Sequence, residues 1–266
     1  LNHNHITSIL YTSGTSGKPK GVVLTHKIVK NTLKNISEFL GYSNNDHEVI
    51  TLPLSHSFGL NHVLCNLMAG ASVSIENGLL RIKTVFDMLS KGATGFPGSP
   101  STYGIILNRY EKPFKEVVKS LKFIVINSSP LPINLANKIM DLIPNAKLYV
   151  YYGLTEASRS TFIKHSKHKQ GLLDSVGKGS PNVNIAVLDK NSELRKNNSE
   201  GEILISGNNV MKEYWCDKSR TKNSFLNGWF KTGDIGRIDK DGYLFVTGRI
   251  KDMINIGGLK LSLIHI

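Results

Sequence analysis

Short apolar runs alternate with helical periods over residues 1–174, and this alternation constrains the fold more than any other feature. Residues 49–52, 123–126 and 148–151 are short apolar runs typical of strands. Between such runs, apolar residues recur with the period of a helix, as in the stretch from Val29 to Leu40. Repeated strand–helix alternation predicts an α/β fold, with a layered, mostly parallel sheet and helices packed on it.

The pattern of apolar residues changes near residue 175. Residues 183–188, 202–205 and 236–239 are strand-like and separated by turns, and Asp241 followed by Gly242 predicts a hairpin. We therefore predict an α/β subdomain over residues 1–174 and a smaller β-rich subdomain over 175–250.

A loop rich in glycine, hydroxyl and lysine side chains separates two predicted strands at residues 9–11 and 22–24. Glycines let the backbone approach a ligand and turn its N–H groups inward, and the hydroxyls and lysines suit phosphate oxygens. The loop is not a Walker loop, because Thr12 stands where a glycine is needed and Pro19 follows Lys18. The alternative is a flexible surface hairpin loop. The predicted phosphate-binding residues are Thr12, Ser13, Gly14, Thr15, Ser16, Gly17, Lys18 and Lys20.

Two further motifs carry groups suited to a nucleotide. Residues 152–156 read Tyr-Gly-Leu-Thr-Glu directly after a predicted buried strand, where ligands of open α/β sheets bind. A tyrosine there can stack on a base, and the oxygens of Thr155 and Glu156 suit phosphate and Mg²⁺. Asp234 can receive two ribose hydroxyls, with Arg249 reaching the same sugar or the phosphate. Taken singly, these motifs are also typical of an ordinary strand-to-loop junction and a turn-forming aspartate.

In this order, the three motifs and the segment at residues 201–207 resemble the adenylate-forming superfamily. That superfamily includes acyl-CoA synthetases, peptide-synthetase adenylation domains and firefly luciferases, and the resemblance covers nearly the whole chain. It implies an acid–thiol ligase that uses ATP to convert a carboxylic acid to an acyl-adenylate, releases pyrophosphate and then forms a thioester with CoA. The expected cofactors are ATP, Mg²⁺ and CoA. The chain would be a fragment of the family's large N-terminal domain.

The resemblance also assigns roles within the nucleotide site. The glycine loop would hold the β- and γ-phosphates, Thr155 would contact phosphate, and Glu156 would ligate Mg²⁺; Thr155 and Glu156 are the expected catalytic residues there. Asp234 would bind the ribose with help from Arg249. Lys251 matches the family's hinge, so residues 251–266 would be the hinge and the truncated start of a C-terminal lid. The remaining nucleotide-binding residues implied on the adenine side are Ser128, Ser129, Pro130, Tyr152 and Gly153.

Residues 53–59 resemble the segment in which acyl-CoA synthetases place an aromatic residue or histidine beside the substrate carboxylate. His56 is that candidate, also assigned as catalytic, and the alternative is a half-buried histidine without a ligand. Amino-acid-activating relatives usually carry an aspartate after the phenylalanine, whereas Gly59 follows Phe58 here. We therefore predict an acid without an α-amine, a fatty or aryl acid. The predicted pocket residues are His56, Phe58, Gly59, Phe96, Gly98 and Tyr103.

Composition is compatible with a cytoplasmic enzyme that has no nucleic-acid partner. The net charge of +13 comes from scattered lysines, and the basic patch at residues 164–169 has no interleaved aromatic residue, which favours a solvated loop. The two cysteines, Cys65 and Cys216, lie far apart and outside metal-binding spacings, which favours a reducing compartment. No apolar run is long enough to predict a transmembrane segment.

Two alternatives to a CoA ligase stay open at this point. The same chemistry could load a carrier-protein thiol instead of CoA, and a non-catalytic nucleotide-binding protein would share the motifs. Because the family's lid supplies a catalytic lysine, we expect the 266-residue chain alone to have little or no adenylation activity. We also expect it to expose apolar surface where the family's preceding region would pack.

Overall fold

The computed structural model describes residues 2–12, 19–250, 253–256 and 259–262. The strands are β1 (Ile6–Thr12), β2 (Lys20–Thr25), β3 (His47–Ile50), β4 (Ser72–Ile75), β5 (Gly95–Gly98), β6 (Phe123–Ile126), β7 (Lys147–Leu154), β8 (Ala157–His165), β9 (Lys178–Gly179), β10 (Val183–Leu188), β11 (Leu194–Arg195), β12 (Ser199–Gly207), β13 (Glu213–Tyr214), β14 (Phe225–Leu226), β15 (Trp229–Ile238), β16 (Leu244–Arg249), β17 (Met253–Ile256) and β18 (Leu259–Ser262). The helices are α1 (His26–Leu40), α2 (Ser57–Met68), α3 (Ile82–Ser90), α4 (Pro100–Arg109), α5 (Glu111–Val117), α6 (Ile133–Leu142) and α7 (Lys218–Asn223), and a 3₁₀ helix covers Lys167–Leu172.

A seven-stranded sheet in the order β4-β3-β5-β6-β7-β8-β9 forms the centre of the α/β part. The strands from β4 to β7 in this order are parallel, and β8 and β9 join antiparallel. Successive side chains of a strand point to opposite faces. On β6, Phe123 and Val125 pack with α1 and α2, whereas Ile124 and Ile126 pack with α3 to α6. The predicted α/β fold with a mostly parallel sheet is confirmed.

Helix α1 begins and ends as its sequence predicts. The Thr25 hydroxyl accepts a hydrogen bond from the Ile28 backbone N–H at 3.4 Å, which satisfies one free donor of the first turn. Gly41 ends the helix at φ 71°, in the left-handed region that glycine enters without steric cost. The buried face of the helix includes Leu33 and Ile36 and packs on the seven-stranded sheet.

The β-rich part is an antiparallel sheet in the order β11-β10-β12-β15-β14, with β16 paired to β15. The predicted hairpin at Asp241 and Gly242 joins β15 to β16, and Gly242 has φ 83°. A separate three-stranded sheet contains β1, β2 and β13. Strands β17 and β18 pair with each other.

Hydrogen bonds cross the predicted boundary between residues 174 and 175. Strand β9 extends the seven-stranded sheet by pairing with β8, and β13 pairs with β2. The Asn209 side-chain amide donates to the Ser158 carbonyl at 3.0 Å and to the Ser160 hydroxyl at 2.9 Å. The boundary stays a prediction, and the parts on its two sides share strands and buried polar contacts.

Among the described residues, we find no helix with the length and apolar character needed to cross a membrane.

Candidate functional site

The Tyr-Gly-Leu-Thr-Glu segment forms a β-hairpin and does not follow its strand as the sequence suggested. Strand β7 continues to Leu154, and the chain turns at Thr155 and Glu156 before β8 begins. A side chain cannot fit at Gly153, because its Cβ would lie 2.5 Å from the backbone nitrogen of Arg159. Glycine therefore lets the two arms approach closely and fixes where the turn residues project.

Glu156 is the centre of a buried polar cluster with Lys20 and Tyr214. Only 4% of Glu156 is exposed; its carboxylate forms an ion pair with Lys20 and accepts a hydrogen bond from the Tyr214 hydroxyl at 2.8 Å. The Lys20 ammonium donates to the same hydroxyl at 2.9 Å. Burial and the neighbouring Glu156 carboxylate raise the pKa of Tyr214, so this hydroxyl keeps its proton and remains a donor.

The cluster fits a magnesium ion that is bound together with phosphate groups. Magnesium in such sites takes one or two protein carboxylates and fills its remaining positions with water and phosphate oxygens. Glu156 supplies one carboxylate, and no group of three or more His, Cys, Asp or Glu residues forms a complete metal cage within the described ranges. In this structure the Lys20 ammonium supplies the positive charge beside Glu156.

Asp234 forms a second polar cluster, in which Asp234 and Tyr152 are buried and Arg249 is exposed. Its carboxylate accepts a hydrogen bond of 2.7 Å from the Tyr152 hydroxyl and forms an ion pair with Nε of Arg249 at 2.7 Å. Asp234 on β15 lies opposite Arg249 on β16, so the antiparallel register brings them together. Burial raises the pKa of Asp234 even though Tyr152 and Arg249 stabilise its charged form. The structure thus joins three residues that were predicted to bind the nucleoside.

The predicted adenine-side segment lies at the same edge of the sheet. Ser128, Ser129 and Pro130 are exposed and follow β6, the parallel neighbour of β7. The carboxyl ends of neighbouring parallel strands meet at one edge, so this segment and Tyr152 share it. Ser128 has φ 88°, a left-handed conformation that is uncommon for a residue with a side chain.

The acid segment begins helix α2. His56 is exposed, in contrast to the half-buried alternative, and its side chain makes no capping hydrogen bond. Phe58 is buried, with its ring 5.3 Å from that of Tyr151. A Cβ at Gly59 would lie 2.8 Å from the Pro53 carbonyl oxygen, so Gly59 serves the close packing of the helix on the preceding loop.

The other predicted pocket residues lie in the core on the opposite face of the sheet. Phe96 and Tyr103 are fully buried, and the Tyr103 hydroxyl donates to the Phe96 carbonyl at 2.6 Å. Both belong to the core beneath α3 to α6, whereas Phe58 packs on the side of α1 and α2. Gly98 is also buried, at the end of β5. The structure therefore does not bring Phe58 together with Phe96 and Tyr103.

The ends of the glycine loop are held by an antiparallel pair. Thr12 at the end of β1 lies opposite Lys20 at the start of β2. Lys20 in turn reaches Glu156, so the base of the loop adjoins the polar cluster. The predicted loop residues Ser13, Gly14, Thr15, Ser16, Gly17 and Lys18 lie outside the described residues, as does the predicted hinge Lys251.

A surface pocket of about 270 Å³ lies between α1 and β9. Its lining includes Asn35, Phe162 and Lys178, and none of the predicted site residues that the structure describes lines it.

Tyr214 and Arg159 are the polar residues of the site that sequence reasoning missed. Tyr214 lies on the two-residue strand β13, and no sequence pattern links it to Glu156. Arg159 lies on β8 beyond the motif and is 2% exposed. No sequence signal pointed to Arg159 either, because its neighbours Ser158 and Ser160 are polar residues whose burial only the structure shows.

Comparison with known proteins gives consistent matches. The family model described as AMP-binding enzyme matches residues 1–215. An oxalate–CoA ligase of Arabidopsis thaliana is 36% identical over 97% of this chain and 50% of its own length. A long-chain-fatty-acid–CoA ligase, FadD13, of Mycobacterium tuberculosis is 30% identical over 94% of this chain and 49% of its own length.

A solved structure of O-succinylbenzoate Coenzyme A synthetase from Bacillus subtilis, in complex with AMP, has the same fold. It matches with a TM-score of 0.88 and 26% identity, over 100% of this chain and 54% of the other. The chain thus spans about half the length of the curated relatives it matches. On the extent of these matches, the chain belongs to the AMP-binding enzyme family, the adenylate-forming, acyl-CoA-ligase-like group that its motifs resemble.

Proposed function

We propose that this chain supplies the nucleotide- and acid-binding part of an AMP-forming acid–CoA ligase, which activates a carboxylic acid with ATP and transfers the acyl group to CoA. The observation that carries the proposal is a single hairpin shared by two polar clusters. Tyr152 on one arm holds Asp234, and Glu156 in the turn holds Lys20. One rigid element therefore positions a ribose acceptor and a phosphate-side carboxylate together.

Each residue of the two polar clusters suits a different part of the nucleotide. Asp234 is a buried carboxylate that can accept hydrogen bonds from vicinal ribose hydroxyls, and Arg249 fixes its orientation. Lys20 carries the positive charge for phosphate oxygens, and Glu156 is the carboxylate for Mg²⁺, with Thr155 beside it in the turn. Positioning and charge neutralisation of this kind supply most of the catalysis in phosphoryl chemistry.

CoA is the acceptor that the comparisons support. The relatives named above are CoA ligases or a CoA synthetase, and none is named as loading a carrier-protein thiol. Their named acids are oxalate, long-chain fatty acid and O-succinylbenzoate. These acids share a carboxylate and lack an α-amine, which agrees with Gly59 after Phe58, and they differ in every other respect. The fatty or aryl acid inferred from the sequence therefore stays a prediction.

Calorimetric titration of the 266-residue chain with ATP, with and without Mg²⁺, tests the nucleotide site. We expect Mg²⁺ to tighten ATP binding by the unaltered chain. In Glu156→Gln the increase in ATP affinity caused by Mg²⁺ should be about tenfold or more smaller, because a charged ligand is lost. Lys164→Met is the matched control, because Lys164 is an exposed cation on the adjoining strand β8. Failure of ATP to bind, or an equal response in both variants, would contradict the proposal.

ATP–pyrophosphate exchange distinguishes the ligase from a non-catalytic nucleotide-binding protein. It should be measured on the 266-residue chain and on a longer polypeptide that also carries the family's lid. We expect acid-dependent exchange from the longer polypeptide and little from the 266-residue chain, because the resemblance places a catalytic lysine in the lid. Exchange driven only by amino acids would refute the predicted acid class, and no exchange with any acid would favour the non-catalytic alternative.

A further inference from the structure

Arg159 places a positive charge in the interior of the protein, beside the acid segment. It lies on β8, the arm of the hairpin that follows Glu156, and only 2% of its surface is exposed. Its φ of 53° is in the left-handed region, which a residue with a side chain enters at a cost. Arginine stays protonated at any physiological pH, so this charge is permanent.

Among the residues that the structure describes, the guanidinium contacts only neutral groups. Nη1 donates to the Ser57 carbonyl at 3.1 Å and to the Ser158 hydroxyl at 2.9 Å, and Nη2 donates to the Phe58 carbonyl at 3.0 Å. The guanidinium carbon lies 4.6 Å from the centroid of the Tyr151 ring. Carbonyls and an aromatic face orient a cation but do not neutralise its charge.

No carboxylate among the described residues lies within ion-pair distance of Arg159, and none of these residues accepts a hydrogen bond from its Nε–H. The buried acid Glu48 is already bonded to His62 at 3.1 Å and to Asn66 at 2.5 Å. Burying a charge without a counter-charge is costly, and buried donors are nearly always satisfied. Arg159 therefore has the properties expected of a residue that binds an anionic ligand.

The surroundings of Arg159 favour an anion in a particular place. Its contacts hold the first two residues of α2, and the preceding residue, His56, is exposed at the helix N-terminus. The N-terminus of a helix carries a partial positive charge, and α2 has no side-chain cap there. An acid whose reacting carboxylate lies at His56 would thus lie next to Ser57 and Phe58, the residues whose carbonyls Arg159 binds.

We propose that Arg159 binds a second carboxylate of the acid, so that the substrate class is short dicarboxylic acids. The inference rests on the proposed function, because it takes residues 56–58 to face the acid. A guanidinium pairs with a carboxylate through parallel hydrogen bonds, and the unsatisfied Nε–H is one of the donors that such a pair uses. A monocarboxylic fatty acid would leave the charge buried and unpaired.

A purely structural role for Arg159 makes a different prediction. If the residue only tethered the start of α2, its removal would weaken binding of every acid by the same factor. If it pairs with a second carboxylate, removal would abolish the difference between acids that have that group and acids that lack it. The ratio of affinities within matched acid pairs separates the two roles.

The test measures binding of diacid and monoacid pairs of equal carbon number, namely malonate with propionate, succinate with butyrate and glutarate with valerate. Calorimetry on the 266-residue chain with AMP present needs no turnover, so it is informative even if pyrophosphate exchange fails. We expect at least one diacid to bind about tenfold or more tighter than its monoacid partner, the factor of one charge-assisted hydrogen bond. Arg159→Met should reduce that ratio to near one.

Arg159→Lys keeps the charge and should retain part of the preference, and Lys164→Met, on the same strand but exposed, should leave the ratio unchanged. Circular dichroism melting confirms that each variant is folded. The inference is overturned if no diacid is preferred by the unaltered chain, or if Arg159→Met leaves the preference intact. If the lid-carrying polypeptide catalyses ATP–pyrophosphate exchange but calorimetry shows no diacid preference, this inference alone is rejected. If calorimetry shows a diacid preference but that polypeptide catalyses no exchange, only the proposed ligase activity is rejected.

Discussion

At the scale of single residues, the nucleotide site combines residues that sequence motifs reveal with residues that only the fold reveals. Glu156 and Asp234 stand in recognisable motifs, and their predicted neighbours Lys20 and Arg249 lie beside them. Tyr214 could not be predicted, because β13 is two residues long and reaches Glu156 only through its pairing with β2. Side chains brought in by distant strand pairing leave no local pattern.

Asp234→Asn should weaken AMP binding by about 10-fold to 100-fold, the effect expected when hydrogen bonds to a charged acceptor are lost. Asparagine preserves the size of the side chain but cannot accept from both Tyr152 and Arg249 while also serving a sugar. Tyr152→Phe is the graded control, since it keeps the ring and Asp234 and removes one supporting hydroxyl. Calorimetric titration with AMP measures both variants. Unchanged affinity in Asp234→Asn would show that the ribose lies elsewhere.

Asp46 gives the fold a defined dependence on pH. Burial acts to raise its pKa, but hydrogen bonds from Lys122, Ser43 and Thr94 outweigh burial and lower the pKa. Such a carboxylate stabilises the fold above its unfolded-state pKa of about 4, and the stabilisation is lost as the pH falls through the lower folded-state pKa. Asp46→Asn should cost about 1–3 kcal/mol of unfolding free energy at neutral pH.

Urea unfolding at neutral pH and again below pH 4 checks this prediction for Asp46. The difference between Asp46→Asn and the unaltered protein should shrink progressively as the pH falls below about 4 and through the lowered folded-state pKa of Asp46, where its carboxyl becomes uncharged. Glu116→Gln is a suitable control, because the Glu116 ion pair with Lys119 is exposed and such pairs contribute little. A difference that stays constant with pH would assign the effect to packing.

At the scale of elements, the β7–β8 hairpin depends on Gly153. Gly153→Ala would bring a Cβ within 2.5 Å of the Arg159 backbone nitrogen and force the arms apart. We expect a loss of about 1–3 kcal/mol in stability, typical of overpacking, together with weaker ATP binding because Glu156 moves. Gly104→Ala in α4 is the matched control, since no atom lies within 4 Å of its added Cβ.

Gly104→Ala should stabilise the protein by about 0.5–1 kcal/mol, the helix preference of alanine over glycine, and leave ATP binding unchanged. Chemical unfolding and ATP titration on both variants separate the effects. Equal stability of the Gly153 and Gly104 variants would mean that the hairpin tolerates a wider spacing than the structure shows.

The sequence predicted those elements in which the spacing of apolar residues matches the face that is buried. Helix α1 and strands β6 and β7 follow their sequence patterns closely, because each buries a regular face. Strand β5 was missed, since its sequence Gly-Phe-Pro-Gly is poor in strand formers. It is nevertheless central and fully buried, and a Cβ at Gly95 would lie 2.5 Å from the ring of Phe123. Tertiary packing rather than local propensity creates this strand.

At the scale of the whole molecule, the α/β and β-rich parts depend on each other. One hydrophobic core contains Val22 of β2, Tyr152 of β7 and residues of the β-rich sheet such as Ile203 and Phe230. Strand β13 completes the sheet of β1 and β2, which carries the glycine loop. The change in sequence pattern suggested a boundary at residue 175, because local patterns carry no information about contacts between distant segments.

A chain cut after residue 174 should therefore not fold independently. It would lose strand β13 beside β2 and strand β9 beside β8, and it would expose Val22 and Tyr152, which the β-rich part now covers. We expect residues 1–174 to melt without a cooperative transition, and the 266-residue chain to unfold in one transition by both far-ultraviolet and tyrosine near-ultraviolet dichroism. Two separate transitions in the 266-residue chain would contradict this interdependence.

The hairpin of β7 and β8 also limits how the chain can diversify. Its turn contains only Thr155 and Glu156, and Arg159 follows on the next arm. Because strand side chains alternate between faces, one inserted or deleted residue would turn Arg159 to the opposite face and also displace Glu156. An insertion or deletion in this hairpin would therefore disturb the proposed acid contact of Arg159 and the nucleotide contact of Glu156 at the same time. A substitution at Arg159 leaves the length of the hairpin unchanged and so can alter acid preference without displacing Glu156.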